Sequence, residues 1–206
     1  LPGLPNERVQ RSLDAGIRAD RDGHRRGFVV LEWMVGETLE DLLRRGELTG
    51  SAARSVLAQL LGDIVIPLWS AGTVWWDFRD ANLCFDTATG RVRLIDVDSL
   101  AAYADEILRA PGVWEKRDRG RVTALARLRR TAVRLVQAGA AGARKKIETA
   151  VTGAWQEELE GPLVVLGKAA DSRLQGAAAL ERFLARLESQ GLLPRADTRT
   201  DTIVEG

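Results

Sequence analysis

The chain has 206 residues, 45% apolar and 29% charged, and 30 Lys+Arg against 29 Asp+Glu leave a formal net charge of +1. That length and balance suit a globular protein that can bury a substantial core, exclude a largely disordered chain, and argue against a dedicated nucleic-acid binder, whose charge is usually lopsided. A single cysteine, Cys84, excludes an internal disulfide framework and suits a reducing, cytoplasmic compartment. The longest strongly apolar runs, Phe28–Leu31 and Leu163–Leu166, are too short to cross a bilayer, so no membrane segment is expected. Lysine occurs only at Lys116, Lys145, Lys146 and Lys168, which leaves the first half of the chain without one. The chain opens on Leu1 rather than methionine, so it reads as processed or as a piece of something longer.

The apolar runs Val9–Leu13 and Gly27–Met34 flank the polar, glycine-containing stretch Arg18–Arg26 and predict a hairpin. A helix follows. Thr38 is its cap, Glu40 and Asp41 place negative charge in the first turn, Leu39, Leu42 and Leu43 form the apolar face, and Arg44, Arg45 and Gly46 end it. Ala53, Val56, Leu57, Leu60, Leu61, Ile64 and Leu68 recur at threes and fours and predict a longer helix over about 51–70, with Pro67 distorting its last turn. Leu83–Phe85 and Val92–Ile95, joined by the turn formers Asp86–Gly90, predict a second hairpin. Three amphipathic helices complete the pattern. The first carries Val122, Leu125, Leu128, Val133 and Val136; the next carries Ile147, Val151, Trp155 and Leu159 and stops at Gly161–Pro162; the last carries Leu174, Ala178, Phe183, Leu184 and Leu187 and stops at Gly191. The polar tail 194–206 is expected to be flexible.

The chemistry concentrates in Trp75-Trp76-Asp77-Phe78-Arg79-Asp80-Ala81-Asn82 and in Leu94-Ile95-Asp96-Val97-Asp98. An aspartate, a basic residue two positions on, an asparagine at plus five and an aspartate ending an apolar strand suit phosphoryl transfer. One carboxylate orients the acceptor hydroxyl and takes its proton. An amide oxygen and a second carboxylate hold Mg²⁺ against the phosphates, and a cation neutralises the moving group. A hairpin between Asn82 and Asp96 would return the two oxygen ligands to one end. On these residues the sequence resembles the protein kinase-like family, especially bacterial serine/threonine kinases of the eukaryotic type. The resemblance implies catalytic roles for Asp77 and Arg79, metal ligation by Asn82 and Asp96, and ATP with Mg²⁺ as cofactors. It also implies a hinge over Val30–Leu39, with Leu31 as gatekeeper and the backbone of Glu32 and Met34 facing adenine.

The implied fold is α+β, a mainly helical kinase-like large lobe with two short β-hairpins and the small lobe largely absent. Residues 1–36 would be the small-lobe remnant and hinge, 37–193 the large lobe and 194–206 the tail. Several features depart from the family pattern. Trp75-Trp76 replaces His-Arg before the catalytic-loop aspartate, Asp98 replaces the glycine of Asp-Phe-Gly, and Ala110-Pro111-Gly112 is a degraded Ala-Pro-Glu. The family's strand lysine, helix glutamate and glycine-rich loop cannot lie within this chain, so the isolated chain is expected to be inert. The parent is expected to phosphorylate a protein hydroxyl once completed by its missing small lobe or a partner chain. The alternatives are a small-molecule kinase of the aminoglycoside or choline type and a non-catalytic pseudokinase scaffold. Outside the site, His24 reads as a plain surface residue, Cys84 as a small core residue, and Trp75-Trp76 as core beneath the loop. Asp98 reads as a cap or turn residue. The arginine-rich helix around Arg127, Arg129, Arg130 and Arg134 reads as a solvated face that could receive an acidic partner.

Overall fold

Asp20 decides where the first two strands turn. Its carboxylate accepts from the N–H groups of Asp22 and His24 at 3.0 and 2.9 Å and from Arg26 Nε at 2.9 Å, which closes residues 20–24 as a turn. β1 (Ser12–Ala19) then pairs antiparallel with β2 (Arg25–Leu31). The computed structural model describes residues 8–75, 77–95 and 113–195, with the backbone alone over 113–119. The predicted first hairpin is present with a tighter turn than expected, because Arg18 and Ala19 pair with Arg26 and Arg25 as strand residues. Its apolar side chains stay open to solvent: Leu13, Val29 and Leu31 are exposed and Ile17 is 67% exposed. The segment before it is sewn to the body by Arg8, which donates to Gln59 Oε1 and Asp63 Oδ2 at 2.5 Å each, and by Gln10, whose N–H reaches Leu94 O at 2.9 Å.

Thr38 ends β3 (Glu37–Thr38) and caps α1 (Leu39–Arg45). Its hydroxyl accepts from Asp41 N–H at 3.2 Å and donates to the Asp41 carboxylate at 2.7 Å. Gly46 closes α1 at φ 70°, its N–H returning to Leu42 O, a left-handed geometry that glycine adopts without a Cβ penalty. α2 (Gly50–Ser70) is capped by Thr49. Pro67 offers no N–H to Asp63, and its ring crowds that carbonyl, so the ladder loosens into a π turn over Leu60–Val65 in which Ile66 N–H bonds Leu61 O. The distortion expected in the last turn therefore lies one turn upstream. By length and composition α2 is apolar enough to cross a membrane, contrary to the run-length expectation. Leu57, Leu60, Leu61, Ile64, Val65, Leu68 and Trp69 are all buried within this chain, so that apolarity serves the core.

β4 (Leu83–Asp86) and β5 (Arg91–Leu94) form the predicted second hairpin, and β3 adds to it in the order β3-β4-β5. The Asp86 carboxylate shapes the turn by accepting from Ala88 N–H at 2.9 Å and Thr89 Oγ1 at 2.7 Å. α3 (Val113–Gly139) packs along α2. Its buried seam is Ala124, Leu125, Leu128, Ala132, Leu135 and Val136, whereas Val122, placed on the apolar face from sequence, is 67% exposed. α4 runs over Arg144–Ala154, passes through a π turn at Trp155–Glu160 and continues over Gly161–Val165. Gly161–Pro162 thus does not stop the helix. As in α2, a proline is accommodated by a π turn immediately before it. α5 (Ser172–Ser189) buries Gly176, Ala179, Leu180, Phe183, Leu184 and Leu187, while Leu174 is 76% exposed and Ala178 is also exposed, so the start of its seam lies off the expected register. Trp155 and Phe183 meet edge to face at 5.9 Å where α4 crosses α5. The chain is thus a mixed α+β protein, with two small sheets beside a helical body among the described residues.

Candidate functional site

Buried residues on either side of Asp77 anchor the loop. Val74, Trp75 and Phe78 point into the core, with the Phe78 ring 4.5 Å from Trp75 and 6.4 Å from Trp69, both edge to face. Trp75 fills the core as expected, and Trp76 lies outside the described residues. Asp77, between these anchors, is left half-buried at the surface. Its Oδ1 accepts from Arg79 Nε at 2.7 Å and from Arg127 Nη1 at 2.6 Å, and its Oδ2 from Asn82 Nδ2 at 3.1 Å. The same amide nitrogen reaches the Asp77 carbonyl at 3.2 Å. Asp77, Arg79 and Asn82, chosen from sequence, therefore form one hydrogen-bonded cluster.

The short 3₁₀ turn Asp80–Asn82 leads directly into β4, and β5 returns to the same end. Ile95 N–H donates to the Asn82 carbonyl at 2.9 Å. The residue before Asp96 is thereby held against the predicted metal-binding asparagine, while Asp96 and Asp98 themselves lie outside the described residues, as does Ala110-Pro111-Gly112. Because the Asn82 amide nitrogen is committed to Asp77, its oxygen is the atom able to face a cation.

Asp80 was not singled out by sequence, and its side chain is only 6% exposed. A carboxylate so buried needs partners. Thr131 Oγ1 donates to Oδ1 at 2.5 Å, and Arg134 Nη1 pairs with Oδ2. The arginine-rich face of α3 is thus not simply solvated, since Arg127 and Arg134 bind the two loop aspartates. The available signal was the spacing of Arg127, Thr131 and Arg134, which shares one side of a helix.

The expected hinge adjoins this hairpin. Leu31 ends β2 with its side chain exposed, and Met34 is half-buried. The Glu32 N–H donates to Arg11 O and its carbonyl accepts from Gln10 Nε2, each at 2.9 Å, so the Glu32 backbone, expected together with that of Met34 to face adenine, is engaged inside the chain. Partial desolvation pushes the Glu32 carboxyl up, but hydrogen bonds from the Arg11 N–H and guanidinium and from Arg93 outweigh it and hold the group below the usual carboxylate range. Downstream, the Cys84 thiol contacts Val35 O at 3.6 Å, and Gly36 lies against the β4 backbone. A cavity of about 430 Å³ opens between Glu32, Trp33 and Val35 on one side and Asp86, Arg91 and Arg93 on the other, and includes neither Asp77 nor Asn82.

Asp20, Asp22 and His24 bring possible ligand atoms within 4.8 Å of one another at the β1–β2 turn. The Asp20 carboxylate is already shaping that turn, and His24 is exposed as expected. Compared with known proteins, the chain matches no family model and no curated protein, so its functional reading rests on the residue geometry above.

Proposed function

We propose that this chain is the large lobe of a kinase-like phosphotransferase that, in the intact parent, moves the γ-phosphoryl of ATP to a protein hydroxyl. The observation that carries the reading is the Asp77–Asn82 pair closed by the Ile95 bond to Asn82, which brings the acceptor-orienting carboxylate to the strand that precedes Asp96. In that reading Asp77 receives the acceptor hydroxyl, Arg79 supplies positive charge beside it, and Asn82 with Asp96 would hold Mg²⁺, which neutralises the phosphates when bound. With the Glu32 backbone engaged by Gln10 and Arg11, adenine recognition falls mainly to Met34 and Leu31. The open apolar face of the β1–β2 hairpin supports a small lobe completed by further chain or a partner.

The test is made on the full-length protein. Asp96→Ala should abolish Mg²⁺-dependent nucleotide binding in calorimetry, and Asp77→Asn should keep nucleotide affinity while lowering turnover, because its contact is made mainly in the transition state. Labelling of metabolites or antibiotics without protein labelling would select the small-molecule reading instead. The scaffold reading is favoured by one observation, the engagement of Asp77 Oδ1 by both Arg79 and Arg127. Absence of nucleotide binding, or wild-type turnover by Asp77→Asn, would replace the enzyme with the scaffold.

A further inference from the structure

We propose that the face of α3 carrying Arg127, Thr131 and Arg134 is the positioning element of the site, anchoring the loop through Asp80 and choosing which oxygen of Asp77 meets the acceptor. The second half of this inference rests on the phosphotransferase reading; the first does not.

The three residues are spaced by four and three, one stripe of a helix. The stripe meets two aspartates spaced by three on the loop: Arg127 at Asp77, and Thr131 with Arg134 at Asp80. Asp80 opens the 3₁₀ turn that ends at Asn82, and within that turn Asn82 N–H bonds Arg79 O at 2.9 Å while Leu83 N–H returns to Asp80 O. Fixing the Asp80 carboxylate therefore fixes the stretch that presents Asn82. α3 is a suitable reference because the same helix buries Leu128, Ala132 and Leu135 against the core.

Arg127 does something different. A carboxylate offers about four acceptor positions. Two guanidiniums converge on Asp77 Oδ1, and the Asn82 amide takes one position on Oδ2. The remaining position belongs to Oδ2, the oxygen beside the proposed metal ligand. An acceptor hydroxyl received there sits next to the cation site; received at Oδ1 it would lie on the far side of the carboxylate. Arg79 also binds Oδ1, but it is a largely exposed side chain of the loop itself. Arg127 comes from a separate packed element and can define the carboxylate's direction independently of the loop. Arg127 is therefore a positioning residue.

Two measurements test this. Amide hydrogen exchange on the 206-residue chain should show the peptide over 77–83 exchanging about tenfold faster in Thr131→Val and in Arg134→Met, since hydrogen bonds to a charged group are worth at least that factor, with α5 unchanged. Arg134, partly exposed, gives a variant that keeps the core even if Thr131→Val is too unstable to study. In the full-length protein, Arg127→Met should lower kcat about tenfold or more with KM for MgATP unchanged, and Arg127→Lys should recover part of the loss. Unaltered loop exchange in Arg134→Met overturns the anchor, and wild-type kcat in Arg127→Met overturns the orienting role. If the wild-type full-length protein turns over no nucleotide, the phosphotransferase reading and the orienting role fall together, while the exchange measurement still decides whether α3 anchors the loop.

Discussion

Gly36 joins the expected hinge to the β3-β4-β5 sheet, and replacing it with alanine should be far more damaging than its size suggests. Its φ is +123°, outside the region that L-residues occupy comfortably, and a Cβ there would lie 2.6 Å from Phe85 O, 2.9 Å from Phe85 C and 3.0 Å from Asp86 Cα. Those are backbone atoms of β4, which pairs with β3 at Glu37–Phe85, so no flexible side chain can yield. Gly46 provides the control, with φ +70° and nothing within 4 Å of its Cβ position. Gly46→Ala measures the left-handed conformational penalty alone, about 1–2 kcal/mol. Gly36→Ala adds a worse backbone angle and displacement of a strand, for a total of about 3–5 kcal/mol. For a chain of this size that corresponds to a Tm lower by about 6–20 °C, against about 2–8 °C for the control. Urea unfolding followed by tryptophan fluorescence suits the comparison, because Trp69, Trp75 and Trp155 are fully buried and report the core. If the two variants fall within about 1 kcal/mol of each other, the close approach of residue 36 to β4 does not constrain the fold, and the coupling of hinge to hairpin drawn from it is wrong.

The Glu32 carboxyl titrates below its ordinary value of 4.5 when folded, so its stabilisation is present above that value and lost as pH falls through the lower folded one. Glu32→Gln should therefore be less stable than wild type at pH 7 with the gap closing as pH falls below 4.5, and a gap independent of pH in urea midpoints would contradict the Arg11 and Arg93 bonds. Burial pushes the Cys84 thiol up, the charge of Arg93 partly opposing it, so iodoacetamide should label the folded chain at least about a hundredfold more slowly than the urea-unfolded chain; equal rates by mass spectrometry would show an open β4.

Local signals carried the elements whose chemistry is self-contained. Thr38 and Gly46 bound α1 because a hydroxyl cap and a left-handed glycine act within a few residues of themselves. Asp86–Gly90 turns because the Asp86 carboxylate bonds its own neighbours. The pairing of Asp77 with Asn82 was accessible for the same reason, a separation of five along one loop. Where the reading from sequence failed, the deciding atoms lay elsewhere in the chain or the pattern had two physical solutions. Val122 and Leu174 match an apolar period but fall outside the buried seams, since a helix's buried arc is set by the helices that pack against it. Gly161–Pro162 reads as a helix stop, yet the π turn before it lets the helix continue.

The sequence by itself determined a mixed α+β chain with a tight loop carrying Asp77, Arg79 and Asn82 into a hairpin, because periodicity, caps and turn formers act over short separations. Only the tertiary structure decided that α3 lies beside that loop. Arg127 and Arg134 are 50 and 54 residues from the aspartates they bind, so their spacing puts them on one side of a helix without saying what that side faces. That distinction comes from the packing of α3 on α2, which turns one polar stripe inward and leaves Asp80 nearly buried with no neighbour in sequence to satisfy it.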